Sequence, residues 1–250
     1  MTNPFSTHGI DHLSPSSLNL WAASPAIFVL ERLLKKRSAV GPAAHRGTAV
    51  EAGIVHGLTT GADANDSAAK ASAEFARLTA LMTGDKVDKE ARAVPEMTRM
   101  GYAELIPYGK PTAMQGRVER RVDGLGVPIM GFFDLCWEQH GILLDIKTTH
   151  ALPSKVSTSH ARQVALYNAG LGGGKDVRIT YVTPRKVATY SVENIEDHLL
   201  ALERIAKALQ KFLSISADPQ ELAGLIAPDV DSFYAADPLT RQSIFEVWGI

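Results

Sequence analysis

The order of patterned segments predicts an α/β chain with a central mixed β-sheet flanked by helices. Three observations carry this. Four helical stretches come first, then three successive strand-like runs, then a helix, two more strands and a long amphipathic helix. The strand-like runs are short and bounded by turn residues. The chain has 250 residues, 45% of them hydrophobic, which suits one large globular domain. We expect a mainly helical part over 1–110, a sheet core carrying the site over 111–192, and C-terminal helices over 193–250.

Residues 1–13 read as a loose arm. Ser14 then suits an N-cap, with Pro15 at the first helical position. Leu18, Trp21, Ile27, Leu30 and Leu34 give that helix an apolar face, broken near Pro25. "AAHRGTAVEAGIVHGL", 43–58, reads as a second helix whose many Ala and Gly residues allow close packing. Residues 64–83 and 86–103 read as two more. The strands follow as "TAMQGRVERRVD", "VPIMGFFDLCWE" and "GILLDIKTT", with turns at Gly124–Gly126 and around Gln139–Gly141. "STSHARQVALYNAGL" is a helix closed by three glycines. A hairpin around Pro184, a long helix from 193 and a short one from 238 complete the chain.

Composition excludes several classes. The formal net charge is -1, so a nucleic-acid partner must be held by a local basic patch. Cys136 is the only cysteine, which excludes a disulfide framework, a multi-cysteine zinc site and a cysteine-ligated iron–sulfur cluster. No apolar run reaches about 18 residues, so no membrane span is expected. The start "MTNPFSTHGI" lacks the basic and apolar regions of a signal peptide. The expectation is a soluble, cytoplasmic protein.

The chemistry concentrates in "GILLDIKTTH". Side chains alternate along a strand, so Asp145 and Lys147 share one face. Folding the hairpin about the Gln139–His140 step sets Asp134 directly opposite Asp145. A turn of odd length would shift that register by one. Like charges in this position destabilise a sheet, and burial sharpens the conflict. A divalent cation between the carboxylates removes it, and Mg²⁺ is commonly held by one or two carboxylates with waters and phosphate oxygens. Lys147 could hold a phosphate oxygen or a water, or serve as a general base if a nearby metal lowers its pKa. The plain alternative is an Asp–Lys pair at a strand end.

"GFFD", "LDIKTT" and "QVALY" in this order resemble the RecB-like branch of the PD-(D/E)xK nuclease superfamily. Its pattern is G-x-x-D, then (D/E)-x-K, then Q-x-x-x-Y on the next helix, here Gln163 and Tyr167. The likeness spans about residues 113–170. Upstream, "LSPSSLNLWAASPAIFVLERLL" resembles the opening helix of such nucleases, with Ser24 where iron–sulfur members carry a cysteine. "RGTAVEAGI" resembles their G-x-x-x-H helix, with Glu51 in place of the histidine, as in the branch resembling phage lambda exonuclease. The resemblance implies a restriction-endonuclease-like core and a Mg²⁺-dependent DNA exonuclease of phage or recombination type, with Mn²⁺ as a substitute. It implies metal ligands Asp134, Asp145, Glu51 and the Ile146 carbonyl, with Lys147, Gln163 and Tyr167 completing the catalytic set. DNA is the implied partner; a single-strand annealing or recombination protein and a homo-oligomer are further expectations. A restriction-type endonuclease and a catalytically silent DNA-binding module are the alternatives.

Other residues read more plainly. Glu51 could instead be an exposed or capping residue. His56 lies about 140° round the helix from Glu51 and, like His45, is a weaker candidate. Gln115, Arg117 and Glu119 share a strand face that reads as solvated or salt-bridged. Lys35–Arg37 and Arg120–Arg121 could meet phosphates, or form a solvated face. Trp21, Trp137, Trp248 and Cys136 read as packing residues.

Overall fold

The computed structural model describes residues 3–250. Along the chain run α1 (Pro4–Thr7), α2 (Pro15–Ala23), α3 (Pro25–Phe28), a π-turn (Val29–Leu33), α4 (Pro42–Thr60), α5 (Ala64–Leu78) and α6 (Asp85–Leu105). Then come β1 (Ala113–Arg120), β2 (Ile129–Trp137), β3 (Ile142–Thr148), α7 (Thr158–Gly170), β4 (Asp176–Val182), β5 (Val187–Ser191), α8 (Ile195–Leu213), α9 (Pro219–Ala223) and α10 (Pro238–Trp248). The five strands form one sheet in the order β1-β2-β3-β4-β5. β3 runs antiparallel to β2 and parallel to β4, with α7 as the crossover, so the sheet is mixed as expected.

Contacts divide the chain into two compact units. One holds Val40–Arg117 and Phe132–Glu193. Within it, Val50 and Ile54 of α4, Val94 and Met97 of α6, Leu144 and Ile146 of β3, and Trp137 of β2 share one buried cluster. Glycines let the helices meet: a Cβ on Gly53 would stand 2.5 Å from the Ser67 carbonyl oxygen, and one on Gly101 2.4 Å from Ile54 Cδ1. Trp137 is fully buried and its indole N–H donates to the Gly109 carbonyl at 2.9 Å, so it packs as expected.

The other unit holds Met1–Ala39, Val118–Gly131 and Asn194–Ile250. Here the structure corrects the loose arm over its described residues, 3–13; residues 1 and 2 lie outside them. Asn3 caps α1, Phe5 is fully buried, and Leu13 forms a parallel bridge with Ile129. The arm is held by two apolar anchors too far apart in sequence to show a period. The first long helix breaks at Ser24–Pro25, and the Ser14 cap forms a reciprocal capping box with Ser17. The basic clusters are largely paired: Lys36 with Glu246 at 2.5 Å, Arg37 with Glu31 at 3.8 Å, Arg120 with Glu203 at 2.7 Å and Arg121 with Glu119 at 3.2 Å.

Candidate active site

β3 presents two unlike faces. Leu144 and Ile146 point into the α4–α6 core. Asp145 and Lys147, one residue out of phase, point the other way, toward the side on which α7 packs. Asp145 is 1% exposed, and Lys147 Nζ lies 2.7 Å from its Oδ2. Beyond that ion-pair contact, neither Asp145 oxygen has a hydrogen-bond partner in the structure. A carboxylate offers about four acceptor positions, and each buried polar group left unmatched costs on the order of 1–3 kcal/mol.

The β2–β3 ladder places Asp134 beside it. Its pairs run from Trp137–Ile142 to Leu135–Leu144, and the next step in that register sets Asp134 against Asp145. The even loop, a 3-10 turn over Glu138–His140 and left-handed Gly141, fixes this register. There the side chain of Asp134 enters the ladder: its Oδ2 accepts the Ile146 N–H at 2.7 Å. Burial, then the charges of Asp145 and Glu51, push the Asp134 carboxyl well above its ordinary range. Ile146, whose carbonyl completes the implied ligand set, is thus held by its own N–H.

Glu51, on α4, is part-buried and accepts from Gln115 Nε2 at 2.9 Å. Burial raises its pKa, the Gln115 hydrogen bond opposes that, and the Asp145 charge adds to it. Gln115 makes this bond from a left-handed backbone, φ 47°, unusual for a residue with a side chain. Burial works against the Lys147 ammonium, but Asp145 and Asp134 outweigh it and hold the pKa above its ordinary value. Those two carboxylates favour the protonated ammonium of Lys147. On α7, Gln163 Nε2 donates to the Tyr167 hydroxyl at 2.6 Å. Burial and the Asp145 charge keep that phenol protonated. His160 shares this helix; burial and then the Lys147 charge press its pKa down to about 4, and its Nδ1 lies 2.8 Å from the Tyr181 hydroxyl.

The motif order and this geometry meet in one comparison. The family model described as the PD-(D/E)XK nuclease superfamily matches residues 12–227. The chain belongs to the PD-(D/E)XK nuclease superfamily. No curated protein matches the chain. A solved structure named "Crystal structure of SSO0001" is similar at 15% identity, covering 74% of this chain and 84% of its own, with a TM-score of 0.33.

Nucleases of this superfamily typically use divalent metals. Two carboxylates, one met only by the Lys147 ammonium and the other resisting ionisation, fit such a cation. A preformed cage is absent: among the described residues no three His, Cys, Asp or Glu side chains are grouped closely enough to hold a metal. Glu51 is turned to Gln115, and His45 and His56 join no such group.

Three nearby residues were given no place at the site by the sequence. Gln115 read as part of a solvated strand, because its contact depends on an unusual φ. His160 carries only a helical signal: it lies three positions before Gln163, on the same face. Arg46 is 6% exposed and pairs with Glu90 of α6 at 2.6 Å. Its partners lie too far along the chain for any spacing rule. No helix among the described residues is long and apolar enough to cross a membrane.

Proposed function

We propose that this chain hydrolyses DNA phosphodiester bonds with a bound Mg²⁺, acting as an exonuclease in phage-type or recombination DNA processing. The supporting observation is the deeply buried Asp145 carboxylate, met only by the Lys147 ammonium, beside Asp134. Asp134, Asp145 and the Ile146 carbonyl would hold the cation, with Glu51 brought in from α4. When bound, it supplies Lewis-acid polarisation of the phosphate and acidification of a water. Lys147, carrying its proton, draws a phosphate oxygen toward the carboxylates and orients the attacking water. The Tyr167 hydroxyl, itself accepting from Gln163, stays a neutral donor facing that charge. His160 stays uncharged across neutral pH and so adds no competing cation. Phosphate contacts carry no base information, so cleavage at this site would show little sequence preference.

Digestion of end-labelled linear and closed circular DNA, single- and double-stranded, with and without Mg²⁺, tests the reading. Release of nucleotides from linear ends only, and only with metal, is expected. Linearisation of an unnicked supercoiled circle would make it an endonuclease. Intact substrates under every divalent ion would remove the activity.

A further inference from the structure

Arg46 lies roughly a turn and a half before Glu51 on α4, and the chemistry above gives it no part. Its guanidinium is forked onto the end of β3. Nε donates to Thr148 Oγ1 at 3.2 Å and Nη2 to the Thr148 carbonyl at 3.1 Å. Nη1 donates to Glu90 Oε2 at 2.6 Å, and His150 Nε2 faces both, 3.1 Å from Nη1 and 3.0 Å from Glu90 Oε1. The helix comes close enough that a Cβ on Gly47 would touch Thr148 Oγ1 at 3.4 Å.

A buried ion pair is a poor way to gain stability, because apolar side chains of similar volume often do as well or better. Apolar packing would not, however, fix the carbonyl and hydroxyl of one chosen residue. That residue directly follows Lys147. On the other side of Lys147, the Ile146 N–H is held by Asp134. The Lys147 segment is thus pinned at both ends, and the second pin stands on the helix that carries Glu51. We infer that Arg46 is a positioning residue: its fork on Thr148, braced by Glu90, registers the Glu51 helix against the Asp145–Lys147 strand. The inference rests on the metal-dependent reading above.

The test measures Mn²⁺ binding by electron paramagnetic resonance on the full chain, with Asp145→Asn as the control for binding at the site. Thr148→Val removes only the hydroxyl acceptor and leaves the Arg46–Glu90 pair intact. Arg46→Lys keeps the charge and loses the fork. Thr148→Val leaves the buried Arg46 Nε without its acceptor, so it should melt somewhat below the wild type but stay folded. It should bind Mn²⁺ about tenfold more weakly, with Arg46→Lys weaker still, the range lost when groups that orient a metal site are removed. Wild-type affinity in the folded variants overturns the inference. If Arg46→Lys does not fold, Thr148→Val decides alone. If the wild type binds no Mn²⁺ at the site, the metal-dependent reading fails separately. Amide hydrogen exchange at Ile146 and Lys147 then judges the clamp: faster exchange in Thr148→Val supports it, and unchanged rates overturn it.

Discussion

Two buried ionic groups meet one strand, Asp145 on β3 itself and the Arg46–Glu90 pair of α4 and α6 at its last residue, Thr148, and they are built in opposite ways. Arg46 and Glu90 are 6% and 7% exposed, and their charged atoms are met by each other, by Thr148 and by His150. Asp145 is buried more deeply, at 1%, yet its one close partner is the Lys147 ammonium at 2.7 Å. Burial alone therefore does not mark a functional site. On the proposed reading, its sparse satisfaction leaves Asp145 room for a cation.

The largest effect that sharpens this contrast falls on activity. Asp145→Asn should reduce cleavage by about 100- to 1,000-fold, the range typical when one transition-state electrostatic group is lost. Its stability without metal should stay within about 1 kcal/mol of wild type, because losing the Lys147 contact is offset by relief of the clash with Asp134. Cleavage rates and urea unfolding of the same preparation check both halves. Full activity would remove Asp145 from the site.

The saturated pair should answer in the other coin. Arg46→Ala leaves Glu90 buried without its main partner and should destabilise by about 3–5 kcal/mol. Urea unfolding without metal measures it. A loss below about 1 kcal/mol would mean the cluster is looser than its distances imply.

pH separates the regions by sign. The Asp134 pKa is raised above the ordinary 3.8, so its stabilising contribution is present below that value and is lost as pH rises through the folded pKa. Asp134→Asn should therefore be more stable than wild type at neutral pH without metal, and the difference should vanish in acid. Glu90 behaves inversely. Burial opposes its charge, but the His150 and Arg46 contacts win and lower its pKa below the ordinary 4.5. Its contribution is present above that value and is lost as pH falls through the folded pKa. Glu90→Gln should be less stable at neutral pH, with the gap closing in acid. Parallel stability curves for the two variants would erase the distinction.

The unsatisfied region was the legible one. G-x-x-D, D-x-K and an even hairpin loop are local patterns, and a period of two carried Asp134 toward Asp145 in a register that the ladder keeps from Trp137–Ile142 to Leu135–Leu144. The helices and strands were legible for the same reason. The Arg46 cluster was not. Arg46 lies 44 residues from Glu90 and 102 from Thr148, distances at which no periodicity operates. Gln115 was hidden by a backbone φ that strand alternation does not anticipate. The N-terminal arm was missed because Phe5 and Leu13 find their partners only in the folded chain.

Glu51 stands between the two kinds of site, and its effect should be the smallest. It is part-buried like a ligand in waiting, but Gln115 already donates to it. A ligand must exchange that neutral donor for a cation, so part of what the metal contributes is spent on releasing Gln115. Glu51→Gln keeps the size and removes one negative charge. Hard cations respond to the charge count of their oxygen ligands, so the Mg²⁺ concentration for half-maximal cleavage should rise, by about tenfold or less. Excess Mg²⁺ should restore the rate. Lys147→Ala should not be rescued this way, since its defect lies in handling phosphate and water. Gln115→Ala frees the Glu51 carboxylate and should move the Mg²⁺ midpoint the opposite way. Superimposable titrations of wild type, Glu51→Gln and Gln115→Ala would leave Glu51 a packing residue and Asp134 and Asp145 the only side-chain ligands.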